Sequence, residues 1–262
     1  SPGNMQEYAF VPGVNMEPDV FWRKCDELAR QNDMDPILAY MFMMKQESEG
    51  KMLINRDIFR KLGASVKLFD GVLSWFSRIN SHALKQNLEV EHYIISSGLR
   101  EIIEGTKIAD RFKHIYAAQF CYNDKNVPVW PAMAVNYTSK TQFLYRINKG
   151  VMDVNEHDGL NEYTPDSKRR VPFSNMIYIG DGLTDVPCMK LCKVNGGHSI
   201  AVYQDNSSVA NNLLRQGRVD FVAPADYKKG SKLETVVLAV IDQIKAYNAI
   251  LSMHLCDIEA AD

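Results

Sequence analysis

The 262-residue chain carries 30 basic and 32 acidic side chains for a net charge of −2, with 46% hydrophobic and 24% charged residues. This ordinary globular usage excludes a disordered tail, a collagenous repeat and a disulfide scaffold. The charge balance argues against nucleic-acid binding, because a phosphate backbone needs a basic face and nothing concentrates one beyond Lys168, Arg169 and Arg170.

The length predicts either one large domain or a core with a smaller companion. The five cysteines, Cys25, Cys121, Cys188, Cys192 and Cys256, are odd in number and scattered, which points to a reducing, cytoplasmic setting. No run of eighteen apolar residues and no basic segment leading into an apolar stretch is present, so neither a membrane span nor a signal peptide is expected. The chain opens at Ser1 without an initiator methionine, and is expected to be processed or a fragment.

Residues 17–62 read as helical. Pro18 suits a first helical turn, and Asp35-Pro36 reads as an N-cap and first-turn proline for a second helix with an almost continuous apolar band. From Phe69 onward the pattern alternates. A helix is expected over 70–85 and a strand over 90–95 that ends at Ser96-Ser97-Gly98. A helix from Leu99 follows, then a strand around 114–117. Pro128 and Pro131 suit an edge hairpin over 127–137. Ser139 is placed to cap a helix over 140–148 that Gly150 terminates. Residues 151–170, with five acids and three bases, read as an exposed loop or insertion. Short strands are expected over 176–179, 199–203 and 219–223, and a last helix over 232–251. Strands alternating with helices predict an α/β fold whose mostly parallel sheet is covered on both sides, with ligands at the carboxyl ends of the strands.

The sharpest local signal is Ile179-Gly180-Asp181-Gly182-Leu183-Thr184-Asp185. The two glycines permit a tight turn off the strand, and Asp185 follows Asp181 by one helical turn, so two carboxylates can share a site suited to Mg²⁺. A dinucleotide fingerprint is rejected, because the third glycine is lacking and a carboxylate would face the pyrophosphate. Ser96, with the backbone N–H groups of Ser97 and Gly98, could hold a phosphate oxygen near a helix N-terminus, although a turn and cap explain the same residues. Lys140 at a helix start sets a cation where negative charge is preferred, so it either faces a fixed anion or is a solvated surface lysine.

In this order, the strand ending in Ser96, the helix-opening Lys140 and the Gly-Asp-Gly-x-x-Asp run resemble the second, third and fourth motifs of the haloacid dehalogenase superfamily of phosphohydrolases. Phe69-Asp70-Gly71-Val72 is similar to that family's re-entry into its core, and the helices before it occupy the place of a helical cap, as in phosphoserine phosphatase-like members. The resemblance implies a Rossmann-like three-layer α/β core over 1–11 and 66–262 and a helical cap over 12–65. It also implies Mg²⁺-dependent hydrolysis of a small phosphorylated metabolite, with Asp181 and Asp185 at the metal, Ser96, Ser97, Gly98 and Lys140 at the phosphate, and Ser96 and Lys140 assisting catalysis.

The family's first motif, an apolar strand followed by Asp-x-Asp-x-Thr, supplies the nucleophile and the acid/base, and it is absent. The Asp-x-Asp at Asp33-Met34-Asp35 lies between polar residues and Pro36 and reads as a helix cap. Ser1-Pro2-Gly3 is similar to the stretch just after such a motif, and these 262 residues alone are expected to be inactive. The alternative is a catalytically inactive phosphate-binding or regulatory module. Asp153-x-Asn155-x-His157 begins like a calcium loop, but Gly159 and Thr164 break the pattern. Cys188 and Cys192 read as buried thiols rather than zinc ligands.

Overall fold

A computed structural model describes residues 1–261. In chain order its principal elements are α1 (Pro18–Asn32), α2 (Pro36–Ser48), α3 (Arg56–Gly63), α4 (Val72–Lys85), β1 (Tyr93–Leu99), α5 (Arg100–Glu104), β2 (His114–Tyr122), β3 (Pro128–Met133), α6 (Thr141–Lys149), β4 (Ile177–Gly180), α7 (Val186–Val194), β5 (His198–Tyr203), α8 (Ser208–Arg215), β6 (Phe221–Pro224) and α9 (Lys232–Ala261). They fall into two compact units, Ser1–Leu68 with His92–Lys140 and Phe69–Glu91 with Thr141–Asp262.

In the first unit β1 pairs parallel with β2, and β2 pairs antiparallel with β3. The helices of residues 18–63 share one hydrophobic core with this sheet, where Phe10, Phe21, Met41, Met44 and Phe59 pack with Leu99, Ile102 and Phe120. Phe59 and Phe120 stack at 5.9 Å. The cap reading of Asp33-Met34-Asp35 holds. Asp35 Oδ1 accepts from the backbone of Ile37 (2.8 Å) and Leu38 (3.2 Å), its other oxygen accepts from Asn136, and Asp33 closes α1 in the left-handed region. The proline-punctuated hairpin strand also forms, at the sheet edge.

The second unit is built on β4, β5 and β6, all parallel, with register Ile179↔Ile200 and Ile200↔Phe221. Parallel strands need cover on their faces. Met189 and Cys192 of α7, Leu213 of α8 and Leu233, Val237, Val240 and Ile241 of α9 are buried here. Glu234 at the start of α9 is ion-paired to Arg78 of α4 at 2.5 Å. The turn at Phe69-Asp70-Gly71 is glycine-dependent. Gly71 has φ +84°, and a Cβ there would lie 2.4 Å from the backbone of Tyr227. The architecture is the expected mixed α/β with mainly parallel pairing.

Several boundaries differ from the sequence reading. β1 does not end at Ser96 but runs to Leu99 through a register shift between Ser96↔Ala117 and Leu99↔Ala118, so Ser97 and Gly98 form a bulge inside the strand. The last helix continues to Ala261, beyond the predicted 251, because its apolar spacing persists through Ile258 although Tyr247, Ile250 and Met253 are exposed. Residues 232–258 are long and apolar enough to cross a membrane by length and composition, a test that a core helix also passes, and the first half of that stretch packs in the second unit.

Residues 151–170 are tied down rather than merely exposed. The guanidinium of Arg146, 2% exposed, donates to the carbonyls of Asp153 (2.5 Å), Val154 (3.0 Å) and Glu156 (3.1 Å). The carbonyls of the segment that begins like a calcium loop thus turn inward onto a cation supplied by α6. Arg169 pairs with Asp166 at 3.0 Å, and Arg170 with Glu91, so the basic triplet is partly neutralised within its own unit.

Candidate functional site

The chemistry of the second unit gathers at the carboxyl end of β4. Gly180 ends the strand, and a Cβ there would meet the Asp185 side chain at 2.7 Å, so the glycine admits that carboxylate. Asp185, 7% exposed, closes the turn from within. Its Oδ2 accepts from the backbone N–H groups of Asp181 (3.3 Å) and Gly182 (3.2 Å), and its Oδ1 accepts from the Tyr178 hydroxyl (2.8 Å). Burial and the Asp185 carboxylate push the Tyr178 phenol far above its ordinary range, which keeps it a donor at any physiological pH.

The same turn leaves Asp181 exposed beyond the strand end. The two acids of the motif therefore have separate jobs. Asp185 fixes the loop, and Asp181 presents a hard oxygen donor outward. Asp181 acts on a second phenol as well. Tyr227, half-buried beside Phe69 (6.1 Å) and Trp75 (5.1 Å), is pushed up to about 12 by burial and by the Asp181 charge.

The donor set at this turn suits Mg²⁺, which takes one or two carboxylates and completes its shell with water and substrate oxygens. Among the described residues no group of three or more His, Cys, Asp or Glu side chains gathers into a fuller metal cage. Cys188 and Cys192 are buried free thiols, and burial raises Cys192 to about 12.

In the first unit, the β1 bulge sets the second group of predicted residues. Ser96 Oγ accepts from Gly98 N at 3.0 Å, which leaves its proton to be donated elsewhere. The Ser97 carbonyl accepts from the buried Tyr40 hydroxyl at 2.8 Å, and Ser97 Oγ is buried with no hydrogen-bond partner within the structure. A Cβ at Gly98 would fall 1.9 Å from the Met5 side chain.

Lys140 closes the 3-10 turn Tyr137–Lys140 just ahead of α6 and is only 4% exposed, so it is not a solvated surface lysine. Ser139 does not cap α6; its hydroxyl bonds back to Asn136 N and O, at 2.7 Å each. Gly150 ends α6 with φ +82°, as expected. Ser96, Ser97, Gly98 and Lys140 thus belong to the first unit, and Asp181 and Asp185 to the second.

Sequence reasoning missed Tyr178 and Tyr227. The available signal for the first was a lone hydroxyl-bearing residue inside an otherwise apolar strand, two places before Gly180. The second carried none, because its role comes from packing against a distant turn.

No family model matches the chain. It is 30% identical over 268 residues to an uncharacterized protein of Borreliella burgdorferi, an alignment covering 91% of this chain and 92% of that protein. Among solved structures it is similar to a HAD family hydrolase of Salmonella enterica serovar Typhi, with a TM-score of 0.55 and 14% identity. That match covers 90% of this chain, which spans 65% of the Salmonella protein's length. The chain therefore belongs to the same family as the Borreliella protein and has the fold of a HAD family hydrolase.

Proposed function

We propose that the protein is a Mg²⁺-dependent phosphohydrolase acting on a small phosphate monoester through an aspartyl-phosphate, a reaction that needs a nucleophilic aspartate which the helix-capping Asp33-Met34-Asp35 does not supply. The observation that carries this reading is Asp181 held outward at the carboxyl end of β4 by a turn that Asp185 closes. In such a reaction an aspartate attacks phosphorus to give an aspartyl-phosphate, a second aspartate protonates the leaving oxygen, and water then releases phosphate.

Asp181 would hold the Mg²⁺, with Asp185 next to it as the brace of the turn; the ion supplies positive charge against the phosphoryl oxygens. The resemblance assigns phosphate binding to groups of the first unit: the Ser96 hydroxyl, whose lone pair accepts from Gly98 and whose proton is left to donate, the Ser97 and Gly98 backbone, and the buried Lys140 ammonium. The test is phosphate release by the full-length natural protein, with and without EDTA. Mg²⁺-restored release from a small monoester is expected. A protein that binds phosphate but never turns over any ester would instead be the inactive binding module.

A further inference from the structure

A cavity of about 480 Å³ opens in the second unit at the carboxyl ends of β4, β5 and β6 and has Asp181 in its wall. Its size is that of a site for an organic group, not for a bare phosphate. It exists because small residues stand where larger ones would fill it. Ala201 of β5, Ala210 of α8 and Ala225 after β6 line it, and Ala201 and Ala210 are buried. Its exposed rim is mixed: Asp181, Gln204, Asp205 and Asn206 stand beside two uncovered apolar side chains, Leu183, 63% exposed, within the Gly-Asp-Gly-Leu-Thr-Asp run and Val209, 47% exposed, on α8. Exposed apolar side chains around a concave apolar floor mark a surface that gains by being covered.

The charge in the cavity is one-sided. Among the described residues, Asp181 and Asp205 are its only ionisable side chains besides the Tyr203 phenol, and no Lys, Arg or His lines it. With Asp181 assigned to the metal, Asp205 is the carboxylate left for the organic group to meet, and a second carboxylate or phosphate on the ligand would enter beside it with no basic side chain to offset its desolvation. An uncharged or cationic group meets neither penalty.

We propose that this cavity receives the organic leaving group of the phosphate ester, and that it selects an uncharged or cationic group with an apolar body over one bearing a second anion. This rests on the phosphohydrolase reading above. In the overall reaction the phosphorus–oxygen bond to the organic group breaks, and water supplies the oxygen retained on phosphate and the proton on the released alcohol.

The test uses the full-length natural protein and compares kcat/KM for benzyl phosphate, 3-phosphoglycerate and methyl phosphate. Benzyl phosphate is expected to exceed 3-phosphoglycerate by at least about tenfold, the scale of one good apolar subsite. Val209→Asp, at the exposed rim, is expected to lower the ratio of kcat/KM for benzyl phosphate to that for methyl phosphate by about tenfold, since a methyl group does not fill the cavity. Equal or reversed preference overturns the inference while leaving the phosphohydrolase reading intact. Hydrolysis of none of the three overturns that reading instead. The cavity is then judged by titrating benzyl alcohol and following amide shifts over 201–213. Saturable shifts that Ala210→Phe and Val209→Asp both weaken support an apolar site, and no shifts overturn it.

Discussion

Asp185 shows how one carboxylate can matter to a site it does not enter. Three donors, two from the backbone and one from Tyr178, hold it in place, and through it they aim Asp181 outward. Tyr178→Phe keeps the packing and removes one bond to a charged acceptor, so a stability loss of about 1.5–3 kcal/mol is expected in urea unfolding. Affinity for Mg²⁺ should fall with it; unchanged Mg²⁺ affinity would mean that the turn does not need this brace. Asp181 and Asp185 were legible as a pair in the sequence, because glycine spacing encodes a turn. Their division of labour was not, since it depends on which oxygen meets which donor.

Glu101 is a different case, a buried carboxyl that no sequence pattern singled out. It is 2% exposed, accepts from the Tyr122 hydroxyl at 2.7 Å, and has its other oxygen without a hydrogen bond. Burial holds its pKa above the ordinary carboxylate value. The folded state therefore binds this proton more tightly than the unfolded state, and stability falls as pH rises from the ordinary carboxylate range through the folded value. Glu101→Gln is expected to be more stable than wild type above that window and equal to it below. Unfolding curves at pH 4 and pH 8 check this, and a variant less stable than wild type at pH 8 would contradict it.

At the scale of elements, the helices and strands were largely legible, because apolar spacing and proline and glycine placement encode them. What failed was strand and helix ends. The Ser96-Ser97-Gly98 turn proved to be a bulge, since β2 continues to supply partners beyond Ser96. The loop over 151–170 looked unanchored because its anchor, Arg146, lies outside it and reads as an ordinary helix cation.

The contact of α3 with α5 was also invisible. It depends on two glycines whose missing side chains let the backbones touch. A Cβ on Gly105 would lie 1.7 Å from the Arg60 carbonyl oxygen, and one on Gly63 would lie 2.2 Å from that of Ile102. Gly105→Ala must push the helices apart, at a cost of about 1–3 kcal/mol. A shift in urea midpoint without a change in slope is the expected readout; an unchanged midpoint would mean that the approach is looser than described.

For the whole molecule, the α/β class followed from the alternation of strands and helices, and the resemblance through Ser96, Lys140 and the Gly-Asp-Gly-x-x-Asp run pointed to the fold that the Salmonella hydrolase shares. The large cavity left no mark in the sequence, because it arises from alanines on three separate elements. Burial of Lys140 was equally hidden. A lysine at a helix start reads the same whether solvated or enclosed, and only packing distinguishes them.

The proposed phosphohydrolase depends on Asp181 as the carrier of its metal. Mg²⁺-dependent phosphate release by the Asp181→Asn variant of the full-length natural protein decides whether it does. A loss of at least about a hundredfold in kcat/KM with the fold intact is expected, on the scale of removing one transition-state charge contact. Wild-type release with unchanged Mg²⁺ dependence would contradict it.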